Sequence, residues 1–322
     1  MAGYNTIRGL RVKYLSADPA NPEDGQVWYN STTGNLRLDG IALAGSWASG
    51  GNTNTALGTT AGNGSQTSAI IMGGADTLNN SELYNGSAWT AAPTLNTGRY
   101  GAGEATQAPQ TAALLFAGVV TDTAKSETEE WNGSSWSEVN DMPADIKQLA
   151  GAGTQTAALS IGGSISGSNN AESYIYNGTD WTAAGNMNTA RERAAAFGTQ
   201  TAAVAVGGSP PNVNNVEEYD GSAWTAVTVY PTNITLASAA GTLTAGLVFS
   251  GSIPPTTGNT NSYDGTNWTA QPSMATARQG GAGAGTSTSA LMASGANSAG
   301  AAVTTTEEFT GASTQIKNLS TS

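Results

Sequence analysis

Apolar positions along the chain fall in short runs with strand spacing rather than helical spacing. Residues 201–208 (TAAVAVGG) form a continuous apolar run, and residues 213–219 (VNNVEEY) alternate polar with apolar, so both read as strands, the second half-buried. The arrangement recurs. Small-residue pairs end an apolar run at Gly73-Gly74, Ala117-Gly118, Gly162-Gly163, Gly207-Gly208, Ser250-Gly251 and Ser294-Gly295. An aromatic follows each, at Tyr84, Trp131, Tyr176, Tyr219, Tyr263 and Phe309. Trp47, Trp89, Trp136, Trp181, Trp224 and Trp268 are spaced by 42, 47, 45, 43 and 44 residues, and the next step lands on Thr314 in a degenerate last copy. Between aromatic and tryptophan lie Asn85-Gly86, Asn132-Gly133, Asn177-Gly178, Asp220-Gly221 and Asp264-Gly265. Such pairs accept positive φ and predict a tight type I′ hairpin. A four-stranded unit of about 45 residues has the length of a propeller blade. Six copies predict an all-β, six-bladed β-propeller.

The ends of the repeat bear on how such a ring closes. Trp47 has no inner strands ahead of it, so residues 43–48 are expected to pair with residues 304–309 and hide both free edges. The alternative is that residues 314–317 complete the sixth blade. Residues 1–40 do not follow the repeat, which divides the chain into an arm (1–40) and a propeller (41–322). Within the arm, residues 25–30 and 35–39 read as two strands joined by Ser31–Gly34. A lone hairpin is marginal in water and should dock on something.

Leu, Ile, Val and Phe make up only 46 of 322 residues, a level that usually signals disorder. The charge is sparse, however, at −12 overall, and crowded inner strands require Ala and Gly. Large rings then supply much of the core, since burying one tryptophan removes ~200 Å² from water, roughly 5 kcal/mol before entropy. The chain has neither His nor Cys, which excludes Ser-His-Asp chemistry, thiolate nucleophiles and nearly every transition-metal site. No catalytic residue, cofactor or metal is expected. The net negative charge argues against nucleic acid as a partner, and no apolar run is long enough for membrane insertion.

One position alternates around the ring. Ten residues after each tryptophan stand Leu57, Arg99, Ile146, Arg191, Ile234 and Arg278. If this position opens the innermost strand, Arg99, Arg191 and Arg278 sit near one mouth of the channel and form a ligand site for an anion, a carboxylate-bearing glycan or a threefold partner. The plainer reading is that they hold loops by bonding backbone carbonyls. The acidic third strands (Glu82, Glu129, Glu130, Glu217, Glu218, Glu307, Glu308) are expected to be solvated edges.

Two resemblances attach to these residues. Met187–Arg191, Met274–Arg278 and Leu95–Arg99, with the small-residue pairs, the aromatic and the tryptophan, resemble the kelch repeat over residues 45–314, which implies kelch-like four-stranded blades. Residues 24–40 (DGQVWYNSTTGNLRLDG) resemble a short module of tailed-bacteriophage tail-fibre and other virion proteins. That likeness implies a non-enzymatic virion structural protein, assembled in the host cytoplasm. Its arm would meet other virion proteins, or further copies of itself, through Arg8, Arg11, Lys13, Trp28, Tyr29 and Arg37. Its propeller would be displayed for host recognition of a surface glycan or protein, or as accessory decoration. A freestanding lectin-like or protein-binding propeller is the alternative. A carboxylate-based glycosidase is third: six-bladed sialidases use an arginine triad, but their Ser-x-Asp-x-Gly-x-x-Trp box is absent.

Overall fold

The structure is a computed structural model that describes residues 12–20, 26–43 and 45–318, with the side chains of 38–43, 77 and 313–318 left out of the account. The chain divides into two compact units, one formed by residues up to Gly45 with those from Gly311 onward, the other by Ser46–Thr310. The expected division at residue 40 therefore moves. The last strand, Ser313–Asn318, leaves the propeller because it pairs antiparallel with Asn35–Leu43.

Six four-stranded antiparallel sheets make up Ser46–Thr310, and the fold is a β-propeller. Blade 1 consists of Ala61–Ser65, Ser68–Met72, Ser81–Tyr84 and Trp89–Ala92. Blade 2 consists of Gly103–Glu104, Leu114–Val120, Thr123–Trp131 and Trp136–Val139. Blade 3 runs from Ala150–Thr154 to Trp181–Ala183, blade 4 from Ala195–Thr199 to Trp224–Ala226, and blade 5 from Ser238–Thr242 to Trp268–Gln271. Blade 6 takes Ala282–Thr286, Ser289–Ala293 and Thr306–Thr310, and its outer strand is Ser46–Ser49, with Trp47 opposite Phe309. The N-terminal strand closes the ring, three residues along from where the pattern placed it.

In every blade the third-strand aromatic faces the fourth-strand tryptophan across the sheet, with ring centroids 4.6 to 5.5 Å apart. Trp89, Trp136, Trp181, Trp224 and Trp47 also donate Nε1–H to Thr306, Ser81, Thr128, Ser173 and Thr260 on the third strand of the preceding blade, at 3.0–3.2 Å. Blade 4 has Val216 there, and Trp268 of blade 5 instead reaches the Thr228 carbonyl and is less buried. A second tie runs between blades at the opposite edge. Gln66, Gln110, Gln155 and Gln200, each in the turn after the inner strand, donate Nε2–H to two carbonyls of the preceding blade, as Gln200 does to Ala158 and Tyr176.

The turns before the tryptophans differ from the type I′ expectation. Only the glycine is left-handed (Gly86 φ 90°), and the loop has four residues. The Asn85 side-chain oxygen accepts the N–H of Ser87 and Ala88, and Asp220 does the same for Ser222 and Ala223. A side-chain acceptor thus replaces the second left-handed residue.

The other unit is a four-stranded sheet in the order Lys13–Leu15, Val27–Asn30, Asn35–Leu43, Ser313–Asn318, the first pair parallel. The expected hairpin is present and gains a strand on each side. Asp18 anchors it, accepting Trp28 Nε1–H at 2.9 Å, Asn30 Nδ2–H at 2.8 Å and Arg37 Nη1–H at 2.8 Å. These bonds, Asn30 foremost, lower its pKa.

Candidate functional site

The three alternating arginines lie inside their blades, not at a channel mouth. Arg99, Arg191 and Arg278 are at most 2% exposed, and each pairs with a buried third-strand glutamate: Arg99 with Glu129 at 3.0 Å, Arg191 with Glu217, and Arg278 with Glu307 at 2.7 Å. The same carboxylates accept lead-in backbone N–H groups, Asn96 and Thr97 on Glu129, Asn188 and Thr189 on Glu217, Ala275 and Thr276 on Glu307. Arg191 and Arg278 also donate from Nη1 and Nη2 to backbone carbonyls. A free ligand cannot reach guanidiniums so enclosed, so the anion-site expectation is corrected to the loop-holding one. Burial depresses the pKa of Arg99 and Arg278, which stay charged beside their glutamates.

The acidic third strands are corrected with them. Glu82, Glu129, Glu217 and Glu307 are buried, and Glu82 caps Asn54 and Thr55 without an arginine. Glu130, Glu218 and Glu308 accept the hydroxyls of Tyr176, Tyr263 and Tyr84 from the next blade. Burial and the carboxylate acceptor push the Tyr84 hydroxyl to about 12 and those of Tyr176 and Tyr263 higher still.

The channel mouth is built two residues further on, from Thr59, Gly101, Gln148, Arg193, Leu236 and Gly280. All six are left-handed, with φ between 51° and 60°. Their backbones form a belt: the N–H of Gly101, Gln148, Arg193, Leu236 and Gly280 donates to the carbonyl of the residue one blade back, at 2.7–3.4 Å, and Thr60 closes it on Gly280 at 3.2 Å. Four non-glycine residues hold a conformation that L side chains rarely adopt, which the belt compensates. Inside the channel one level carries Gly62, Gly151, Ala196, Ala239 and Gly283, and only blade 2 places a long side chain there, Glu104. Its carboxyl borders cavities of about 80 and 60 Å³, and desolvation pushes its pKa to about 8. The surface Glu104 keeps open faces this enclosed space. Deeper in blade 2, Gln107 donates Nε2–H to the Gly241 carbonyl of blade 5 at 2.7 Å, across the channel.

From the mouth a cleft runs outward over blades 2 and 3. One part, about 210 Å³, is lined by Tyr100, Asp122, Lys147, Gln148, Glu192 and Arg193. A second, about 420 Å³, shares Asp122 and Lys147 and adds Asp145 and Ile165. Its walls are two protruding hairpins. Blade 2 extends its middle strands to Val120 and Thr123 around Thr121 and Asp122, both left-handed as a two-residue type I′ turn demands. Blade 3 adds Ser164–Ile165 paired with Ser168–Asn169. The other face carries the short turns fixed by the Gln and Asn bonds, with a longer connection, residues 105–113, in blade 2, and the two protruding hairpins stand on the side of the mouth.

Of the expected arm residues, Arg8 and Arg11 lie outside the described residues. Trp28 is fully buried, and Arg37 is engaged by Asp18. Lys13 is exposed, and Tyr29 packs on Tyr14, whose side chain is 77% exposed. Asp18, Tyr14 and the cleft residues were not singled out from the sequence.

No family model matches the chain, and no curated protein matches it. Among the solved structures that match is that of YjhT, with a TM-score of 0.67 and 14% identity over 83% of this chain and 99% of that one. At that identity the likeness shows the fold, a β-propeller.

Proposed function

We propose that this chain is a non-enzymatic structural protein of a tailed-bacteriophage virion, whose kelch-like propeller is displayed for host recognition. The supporting observation is the difference between the propeller faces. Short turns cover one face in every blade but blade 2, whose inner connection spans residues 105–113, while loops of unequal length and two protruding hairpins gather a polar cleft around the channel mouth on the other. A rigid scaffold with variable loops on one face suits recognition of a changing surface. The resemblance of residues 24–40 to a virion module supplies the setting, with the N-terminal sheet as the attachment unit and Lys13, Tyr14 and Tyr29 on offer to a partner. Mass spectrometry of purified particles tests this. Stoichiometric copies of the chain are expected; particles lacking it would exclude the virion role.

The second reading, a freestanding lectin-like or protein-binding propeller, draws on the same cleft and needs no particle. Catalysis by carboxylates draws on less, since Glu104 at a pKa of about 8 is protonated near neutrality and has no charged partner among the described residues.

A further inference from the structure

We propose that the cleft between the blade 2 and blade 3 hairpins binds an anionic saccharide, with Lys147 and Arg193 taking its carboxylate or phosphate and Asp122, Asp145 and Gln148 its hydroxyls. This rests on the propeller being a recognition module and names its site and ligand chemistry.

The distribution of positive charge carries the inference. Ser46–Thr310 holds 19 of the 23 acidic residues but only six of the 11 basic ones. Three of those six, Arg99, Arg191 and Arg278, are buried in ion pairs. The remaining three are Lys125, Lys147 and Arg193, all in the sector of blades 2 to 4. Two of them line the cleft. An anion approaching this propeller meets accessible cations in that sector alone. Distant negative charge is largely screened beyond about 8 Å at physiological salt, while the cleft's own carboxylates, Asp122, Asp145 and Glu192, stand beside the two cations.

The cleft groups are also uncommitted. Among the described residues Lys147 Nζ, the Asp145 carboxylate and the Gln148 amide have no side-chain partner, and Arg193 is held only at Nε, 3.4 Å from Glu192. Asp122 accepts the Tyr100 hydroxyl at a long 3.4 Å. Free acceptors beside free donors match vicinal hydroxyls, and the two parts together lie within the usual size of a small-ligand site. A peptide would need apolar anchors. Val119 is buried, and Ile165 offers little.

Isothermal titration calorimetry on the full chain tests this with an oligogalacturonate, glucose 1-phosphate, inorganic phosphate and maltotriose. At least one of the two anionic saccharides is expected to bind more tightly than maltotriose, and which one tells carboxylate from phosphate recognition. Lys147→Gln and Arg193→Gln should each weaken it about tenfold or more, the loss of one charge-assisted bond. Lys125→Gln, outside the cleft lining, should change it less than twofold. All three side chains are at least partly open to solvent, and an unchanged melting temperature checks folding. The inference is overturned if neither anionic saccharide binds, if inorganic phosphate binds as tightly, or if Lys125→Gln weakens binding as much as Lys147→Gln. Failure of the virion reading would show separately, as particles without the chain, and leaves the calorimetric result standing.

Discussion

Arg191 and Glu217 face each other inside blade 4 with neither side chain more than 2% exposed. Glu217 also accepts the N–H groups of Asn188 and Thr189, so one carboxylate fixes both the cation and the loop that leads into the inner strand. Blade 1 keeps the carboxylate with Leu57 in the arginine position, as Glu82 over Asn54 and Thr55.

That comparison predicts an asymmetry between the two partners. Glu217→Ala leaves a buried guanidinium and two backbone donors unpaired and should cost about 3–5 kcal/mol. Arg191→Leu recreates the blade 1 arrangement and should cost less, at most about 3 kcal/mol. Urea unfolding of both variants checks the order, and equal losses would count against the capping role.

The tryptophan bonds predict a pair of opposite effects. Thr128→Val removes the acceptor of Trp181 Nε1–H and should cost about 1–2 kcal/mol. Val216→Thr supplies blade 4 with the hydroxyl the other blades have, and should draw the Trp268 indole inward. Thermal melts measure both, and a blue shift of tryptophan fluorescence reports the second.

Glu104 predicts a pH dependence. Its folded pKa is raised to about 8 by desolvation, so between the ordinary glutamate value and pH 8 the unfolded chain loses this proton before the folded one does. Stability contributed by the group is therefore full below the unfolded pKa and falls as pH rises to about 8. Glu104→Gln should melt above the native protein at pH 9 and close to it at pH 4. An equal difference at both would mean the carboxyl is not desolvated.

Closure of the ring predicts that Trp47→Ala destabilises the whole propeller, not a local strand. The loss should be about 3 kcal/mol, the low end for a tryptophan because this ring stays partly exposed. One cooperative transition, moved downward, is expected. A separate early transition confined to one blade would contradict ring-wide closure.

Much of the fold was legible because a repeat exposes its own register. The tryptophan spacing located all six blades, and the isolated Trp47 pointed to closure by the N-terminal strand. Arg99, Arg191 and Arg278 stood out too, but spacing gives a position and not a neighbour. The missing signal was already present: each arginine blade carries a glutamate two residues before its third-strand aromatic, while blades 3 and 5 have Tyr174 and Asn261 there. The role of Ser313–Asn318 was hidden because Thr314 falls in repeat register yet pairs outside the propeller. The cleft was not legible at all. Its residues sit in loops that do not repeat, and only the folded ring brings Asp122, Lys147 and Arg193 together.

A propeller that recognises the host surface on behalf of a particle competes, as free chain, with the particles for the same receptor. Adsorption competition measures it most directly, with purified full-length chain added to host cells before challenge by the particles. A dose-dependent fall in adsorption is expected. Undiminished adsorption in the presence of saturating folded chain would contradict it.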